Sequence, residues 1–231
     1  MDLFMDYMKN NNYEEIILKC TPPIYSKENM ELIDYYLYNY GFEANYELNF
    51  FIDYSNVEDV EDLMSHNKKN YYRRAVENNL KYTKIDTHEQ IEQFYHILEN
   101  NLKKFDKKPV HTLEELYDLY FNRISDNIEF FAVFKDDKMI AGTMLFIFDK
   151  VLHTQYMATD SQYLDLYPSY FLYEKTIEYG KKNSFDKITF GIATEDDGRY
   201  LNEGLAIFKE GFGASYSINK TYRLSRNEKN P

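Results

Sequence analysis

The stretch Phe130–Asp160, FFAVFKDDKMIAGTMLFIFDKVLHTQYMATD, holds three apolar runs separated by two short Asp/Lys segments. FFAVFK (130–135), MIAGTMLFIF (139–148) and VLHTQYMATD (151–160) each read as a strand. DDK and DK between apolar runs are antiparallel hairpin signals. Downstream, Leu166, Tyr170, Tyr173 and Ile177 fall at i, i+4, i+7 and i+11, one face of a helix. That helix is expected from about Pro168, which suits a first turn, to Lys182. KITFGIA (187–193) is then a strand. A helix over 200–211 follows, with Leu201, Leu205, Phe208 and Phe212 on one side and Gly211 and Gly213 ending it. ASYSINKTYRL (214–224) closes the order as a strand, and the tail SRNEKNP (225–231) is expected to fray. The order predicts an α/β (α+β) fold: a mixed, mainly antiparallel sheet flanked by helices.

The first fifty residues repeat part of this order. MDLFMDYMKNNNYEEIILKC reads as helix then strand, KENMELIDYYLYNYGF as a helix closed by Gly41, and EANYELNFFIDY as a strand. Displaced by 172 positions, Asn11 meets Asn183, Ile16 meets Ile188 and Gly41 meets Gly213. We read residues 1–53 as a copy of the final helix–strand–helix–strand unit at 171–224. The expected organisation is a half-domain over 1–54 and a complete domain over 55–231. Residues 55–128 between the repeats read as mostly helical around one short strand, KYTKI. Thr112 with Glu115 three residues on forms a capping box for HTLEELYDLYFNRI.

The chain has 231 residues, 44% of them hydrophobic and 18% aromatic, which allows a sizeable core. The net charge of −12 opposes a general DNA or RNA binder, whose footprint is basic. One dense basic stretch, NKKNYYRRAVENNLKYTK, gathers Lys68, Lys69, Arg73, Arg74 and Lys81. It reads as a solvated helix face or as a site for phosphates. Cys20 is the sole cysteine, so no intrachain disulfide forms, and its apolar surroundings predict burial. No signal peptide or membrane span is legible, which points to a cytoplasmic protein without membrane insertion.

The glycines of FGIATEDDGRYLNEGLAIFKEGFGA (190–214) match neither G-x-G-x-x-G nor a P-loop, so this segment is no phosphate cradle. His66, His88, His96, His111 and His153 are scattered and no paired cysteines exist, so no metal is expected. G-x-S-x-G is absent, so a serine-nucleophile elbow is excluded.

Several segments carry a resemblance. KKPVHTLEEL, IAGTMLF, VLHTQYMATD, YPSYFLYEKTIEYG, the 190–214 segment, the closing Y-R-L and the basic NYYRRAVENNLKY together resemble the FemAB-like branch of the GNAT acyltransferase superfamily. HTQY and LNEGL-x-x-FKE-x-FG are similar to a subgroup associated with bacterial surface-polysaccharide loci. The resemblance spans roughly residues 20–224. Fem proteins carry two GNAT-like domains in tandem, so it implies one complete GNAT domain plus a partial N-terminal copy that lacks the front of the first domain.

This resemblance implies transfer of an acyl group from a thioester or ester to an amine or hydroxyl, which requires positioning, a proton acceptor and oxyanion donors. It places Phe208–Lys209 in the active site, with Lys209 polarising the acyl carbonyl; the alternative is a lysine that snorkels to solvent. Asn202 lies two helical turns before Lys209 on the same face, and Glu203 beside it joins the substrate-binding set. Glu195, at the end of KITFGIA, is one candidate base. His153 is the rival, and it shares a strand face with Gln155 by period-2 alternation. HTQY brings Gln155 and Tyr156 to the substrate, with Tyr156 on the opposite strand face. Tyr167 and Ser169, at the start of the long helix, are the candidate donor-binding residues. The loop before that helix, ATDSQYLDLYPSY, lacks the glycines with which GNAT enzymes hold coenzyme A. Acyl-CoA is therefore the expected co-substrate by superfamily habit, with aminoacyl-tRNA as the alternative donor. The expected partners are a small-molecule donor and an amine acceptor, with no DNA. A homo-oligomer through the N-terminal half, or a truncated non-catalytic scaffold, are further readings. Lys209→Ala is expected to be as mild for stability as any surface-lining substitution.

Overall fold

The computed structural model describes residues 2–11, 13–28 and 31–225. In chain order the elements are α1 (Asp2–Asn10), β1 (Glu15–Lys19), α2 (Glu31–Asn39), β2 (Glu43–Asp53), α3 (Val60–Leu63), α4 (His66–Glu77), β3 (Lys81–Ile85) and α5 (His88–Lys103). They continue with α6 (Leu113–Tyr117), β4 (Ile128–Lys135), β5 (Lys138–Phe148), β6 (Val151–Thr159), α7 (Pro168–Lys182), β7 (Lys187–Ile192), β8 (Thr194–Glu195), β9 (Tyr200–Leu201), α8 (Glu203–Glu210) and β10 (Ser215–Ser225). The chain is a mixed α/β protein with a large, mainly antiparallel sheet flanked by helices, as its element order predicts. No helix among the described residues is long and apolar enough to cross a membrane.

The chain divides into two compact units. One gathers residues 1–49, 192–206 and 216–231; the other gathers 50–191 and 207–215. Both are discontinuous in sequence, so they cut the chain differently from the 1–54 and 55–231 halves drawn from the repeat.

In the larger unit, β3, β4, β5 and β6 form an antiparallel meander. Its two tight turns place Asp136 at φ 53° and Asp149 at φ 54°, left-handed positions that aspartate tolerates. Alternation along β4 separates two cores: Phe130 and Ala132 join Ile91, Phe94 and Leu98 of α5, whereas the Phe131 ring lies 4.6 Å from Tyr179 of α7. The α5 core also takes Leu116 of α6, whose N-terminus carries the Thr112–Glu115 capping box. Two irregularities shape the end of the sheet. Met144 faces Tyr156 while Leu145 faces Thr154, so Gln155 is an extra residue that bulges out of β6. β7 pairs with β6 in parallel only over Val151–His153 against Lys187–Thr189, so the two strands have no ladder beyond His153.

In the smaller unit, β1 pairs antiparallel with β10, Glu15 facing Ser225 and Lys19 facing Thr221. Ile16, Leu37, Phe42 and Tyr222 form its core, with Phe4, Met5 and Met8 of α1 packed against it. Cys20, expected to be buried within the strand, lies just past the end of β1 and is half-buried, because its strand is the last in the sheet on that side.

The helix–strand–helix–strand unit occurs twice, and adding 172 carries β1 onto 187–191, α2 onto 203–211 and β2 onto 215–225, the span of β10. Asn11 Nδ2 donates to Tyr7 O at 2.8 Å, and Asn183 Nδ2 donates to Tyr179 O at 2.9 Å. The rings of Tyr7 and Tyr13 lie 6.5 Å apart; those of Tyr179 and Phe185 lie 6.4 Å apart. Gly41 and Gly213 both take positive φ, 80° and 86°. The expected fraying of 226–231 lies outside the described residues.

Candidate functional site

Two groups of the sequence-predicted residues come together, one in each unit. In the larger unit, α8 carries Lys209, which is only 2% exposed. Its Nζ donates to Gly191 O at 3.1 Å and lies 5.4 Å from the centre of the Phe50 ring. The side chain therefore does not snorkel: its charged end is held inside, at the end of β7. Burial lowers its pKa to about 8. The neighbouring backbone is unusual. Gly191 sits at φ +69°, its N–H donates to Thr189 Oγ1 at 3.2 Å, and a Cβ placed there would meet no atom within 4 Å. Lys209 thus points at a carbonyl bordered by open space.

His153 and Gln155 of β6 bond to each other, His153 Nε2 to Gln155 Oε1 at 3.2 Å. Strict alternation predicts that pairing, but it is the Gln155 bulge that sets the geometry. Burial pushes the His153 pKa down, the bond to Gln155 pushes it up, and the Lys209 charge pushes it down further. The net effect is a neutral imidazole at physiological pH, the form a proton acceptor needs. Phe208 packs its ring 5.5 Å from Tyr170, 4.9 Å from Tyr173 and 5.3 Å from Phe212. Lys68 of α4 places its Nζ 3.8 Å over Phe208, 4.9 Å over Tyr170 and 5.3 Å over Phe212. The sequence assigned Lys68 to a basic helix face. It is instead turned into an aromatic cluster, and burial lowers its pKa to about 8.

In the smaller unit, the expected helix over 200–211 begins only at Glu203. Tyr200–Leu201 forms β9, paired with β8 across a turn in which Asp196, Asp197 and Gly198 all have positive φ. Asn202 is therefore not a helical residue two turns before Lys209. It is the cap of α8: its Oδ1 accepts from Leu205 N at 3.0 Å and its N–H donates to Ala193 O at 2.8 Å. Its Nδ2 donates to Glu195 Oε1 at 3.4 Å, so Glu195 and Asn202 form an exposed pair. Glu203 is exposed in the first turn of α8.

Three assignments change. Tyr156 is not free to meet a substrate: its hydroxyl accepts from Val110 N at 3.1 Å and His111 N at 3.2 Å and bonds His111 Nδ1 at 2.9 Å. Its ring belongs to the α5 core, so it pins the 110–111 segment to the sheet. Tyr167 sits in the left-handed region at φ 58° ahead of α7, and its hydroxyl accepts from Arg74 Nη1 at 3.1 Å. Ser169 Oγ bonds Thr159 Oγ1 at 3.0 Å, tying α7 to β6. Both hydroxyls are thus engaged by the protein. Sequence reasoning missed the inward turn of Lys68, the open space beside Gly191 and the Gln155 bulge. The spacing of Tyr170 and Tyr173 along α7 was the one legible signal for the aromatic cluster.

Comparison with known families decides the affiliation. The model of the FemAB family matches residues 67–217. The chain belongs to the FemAB family. A search of curated proteins finds no match. Among solved structures, FemX matches at 12% identity with a TM-score of 0.72, over 98% of this chain and 76% of that one. L-PGS from Bacillus licheniformis matches at 11% identity and TM-score 0.66, over 99% of this chain and 73% of that one. A tandem GNAT protein from the clavulanic acid biosynthesis pathway matches at 6% identity and TM-score 0.57, over 97% of this chain and 68% of that one. At these identities the likeness is one of fold. FemAB membership supports an acyltransferase-type function for the chain.

Proposed function

We propose that this FemAB-family protein is an N-acyltransferase that moves an acetyl or longer acyl group from acyl-CoA to an amino sugar or related amine of cell-surface glycan synthesis. The observation that carries the reading is the buried Lys209, directed at the open end of β7 in the unit that also holds His153 and Gln155. In the proposed reaction the acceptor nitrogen attacks the thioester carbonyl. A C–N bond forms, the C–S bond breaks, and His153 takes the proton from nitrogen and returns it to the departing thiolate, so amide and free thiol leave with the site restored. Lys209, cationic below about pH 8, stabilises the oxyanion that develops on the carbonyl oxygen. Phe208 and its aromatic neighbours wall the acyl group from water. Glu195, exposed and bonded to Asn202, is the weaker candidate base because it belongs to the smaller unit, whereas Lys209 and His153 share the larger one.

Differential scanning fluorimetry with acetyl-CoA and longer acyl-CoAs, followed by turnover of nucleotide amino sugars, tests this. A stabilising shift with a thioester donor and product formation are the expected results.

The second reading is a Fem-type transfer from aminoacyl-tRNA to a peptidoglycan precursor, which FemAB membership itself favours. Its basic surface on α4 is thinner than the sequence suggests. Lys68 is turned into the aromatic cluster, Lys69 pairs with Asp62 at 3.3 Å, and Arg74 donates to Tyr167. Absence of any thioester-induced shift together with tRNA binding would favour this second reading.

A further inference from the structure

We propose that Gln155 is a positioning residue that holds His153 as its Nε2–H tautomer, so that Nδ1 is the basic nitrogen of the imidazole. Naming Nδ1 as the proton acceptor rests on the acyl-transfer reading; the tautomer itself does not. The sequence placed Gln155 with the substrate-binding residues. In the structure its side-chain oxygen is turned to the imidazole, and His153 Nε2 donates to Gln155 Oε1 at 3.2 Å.

A neutral imidazole has one N–H and one lone pair, and the bond made by one nitrogen decides which nitrogen carries which. An amide oxygen only accepts. Nε2 therefore carries the hydrogen, and the lone pair stays on Nδ1. The local charge favours the same orientation of the amide. The cationic Lys209 of α8 bears on His153. Its positive potential favours the carbonyl end of the Gln155 amide beside the ring over the NH2 end.

The fold supplies the reach. His153 faces Phe146 of β5 and Thr189 of β7, so its place in the sheet is fixed on both sides. The ring of Phe148 lies 6.4 Å away. Gln155 is the extra residue of the bulge and has no opposite residue on β5. No cross-strand neighbour fixes its side chain, which is left to bond the residue two positions back. Both side chains are half-buried, which strengthens a hydrogen bond relative to one in water. In the proposed transfer Nδ1 takes the proton from the acceptor nitrogen as the C–N bond forms. It gives that proton to the thiolate once the C–S bond breaks, and Nε2 keeps its hydrogen throughout. While the ring is charged, its Nε2–H donates to Gln155 Oε1 as a charge-assisted bond.

Heteronuclear NMR of the imidazole nitrogens in the full chain reads the tautomer with no substrate present, and His153→Asn assigns the resonances. The expected result is the Nε2–H form of His153 above its titration. Gln155→Leu, with its melting temperature checked, removes the acceptor and should give a mixture of the two tautomers. In an acyl-transfer assay it should lower kcat by about tenfold or more with KM little changed, as for a base held in the wrong tautomer. Gln155→Glu keeps an acceptor and adds a negative charge. It should keep the Nε2–H form, raise the midpoint of the His153 titration and carry the acid limb of kcat/KM to higher pH, which a packing role would not do. This variant keeps the test decisive if Gln155→Leu unfolds. An Nδ1–H form in the wild type, a tautomer indifferent to Gln155→Leu, or a titration indifferent to Gln155→Glu would overturn the proposal. A chain that shows the Nε2–H form, loses it in Gln155→Leu and transfers no acyl group would overturn the proposed function while supporting the hold of Gln155 on the tautomer.

Discussion

At the scale of the residue, Lys209 changes most on seeing the fold. An amine this buried cannot be trimmed to alanine at the small cost expected of a surface-lining position. Lys209→Ala should destabilise the protein by about 1–3 kcal/mol, because it leaves a cavity beside the Phe50 ring. Lys209→Met fills the space without a charge, so it should retain or raise the melting temperature while abolishing turnover. Calorimetry beside an acyl-transfer assay separates the two effects. The titrations of Lys209 and His153 set a second expectation. His153 must be neutral, and its pKa is held below the ordinary 6.5, so kcat/KM should rise through an acid limb below that value. Lys209 must be cationic, so the rate should fall through an alkaline limb near pH 8. Lys209→Met would also flatten a stability trend. Between about 8 and the ordinary 10.5 the unfolded chain binds the extra proton, so the wild type gains stability with rising pH over that window.

At the scale of the element, α7 and the loop after α8 carry the sharpest expectations. Glu174 of α7 is 3% exposed, and its Oε2 has no hydrogen-bond partner. Lys175 Nζ lies 3.8 Å away, and Glu61, Tyr72 and Glu178 also bear on it. Burial raises the Glu174 pKa from 4.5 to about 7. The folded state therefore holds the extra proton between those values, and stability should fall as pH rises through that window. The full effect is about 3 kcal/mol. Glu174→Gln should remove the slope, read by chemical denaturation at pH 5 and pH 8. After α8, Gly213 sits at φ +86°, where a Cβ would meet Leu63 Cβ at 2.7 Å and Leu63 O at 2.9 Å. Gly213→Ala adds backbone strain to a clash with main chain, and should cost more than about 1 kcal/mol of stability in the same assay.

At the scale of the whole molecule, the net charge of −12 and the engaged cations of α4 set the expectation for nucleic acid. Fluorescence anisotropy with aminoacyl-tRNA should show affinity no stronger than non-specific binding and a shallow salt slope. A steep slope that Arg73→Glu flattens would count several phosphate contacts and favour the tRNA-dependent reading. The repeat also belongs to this scale. One helix–strand–helix–strand plan, with its asparagine bond and aromatic pair, occurs twice along the chain.

The sequence by itself determined the element order, the hairpins, the repeat with its offset of 172 and the resemblance that the FemAB match bears out. These depend on neighbours within a few positions: alternation in strands, the helical stripe of α7, aspartate in tight turns, glycine after a helix. Only the tertiary structure decided what each polar side chain faces. Asn202 read as a helical site residue, because a cap and a first turn share the same local spacing; the β8–β9 hairpin made it the cap. Tyr156 and Ser169 found partners outside their own elements, at His111 and Thr159. Lys68 and Lys209, both lysines in amphipathic helices, turned inward because the aromatic rings around them come from several elements. Burial and hydrogen-bond partners are long-range properties, and local patterning does not encode them.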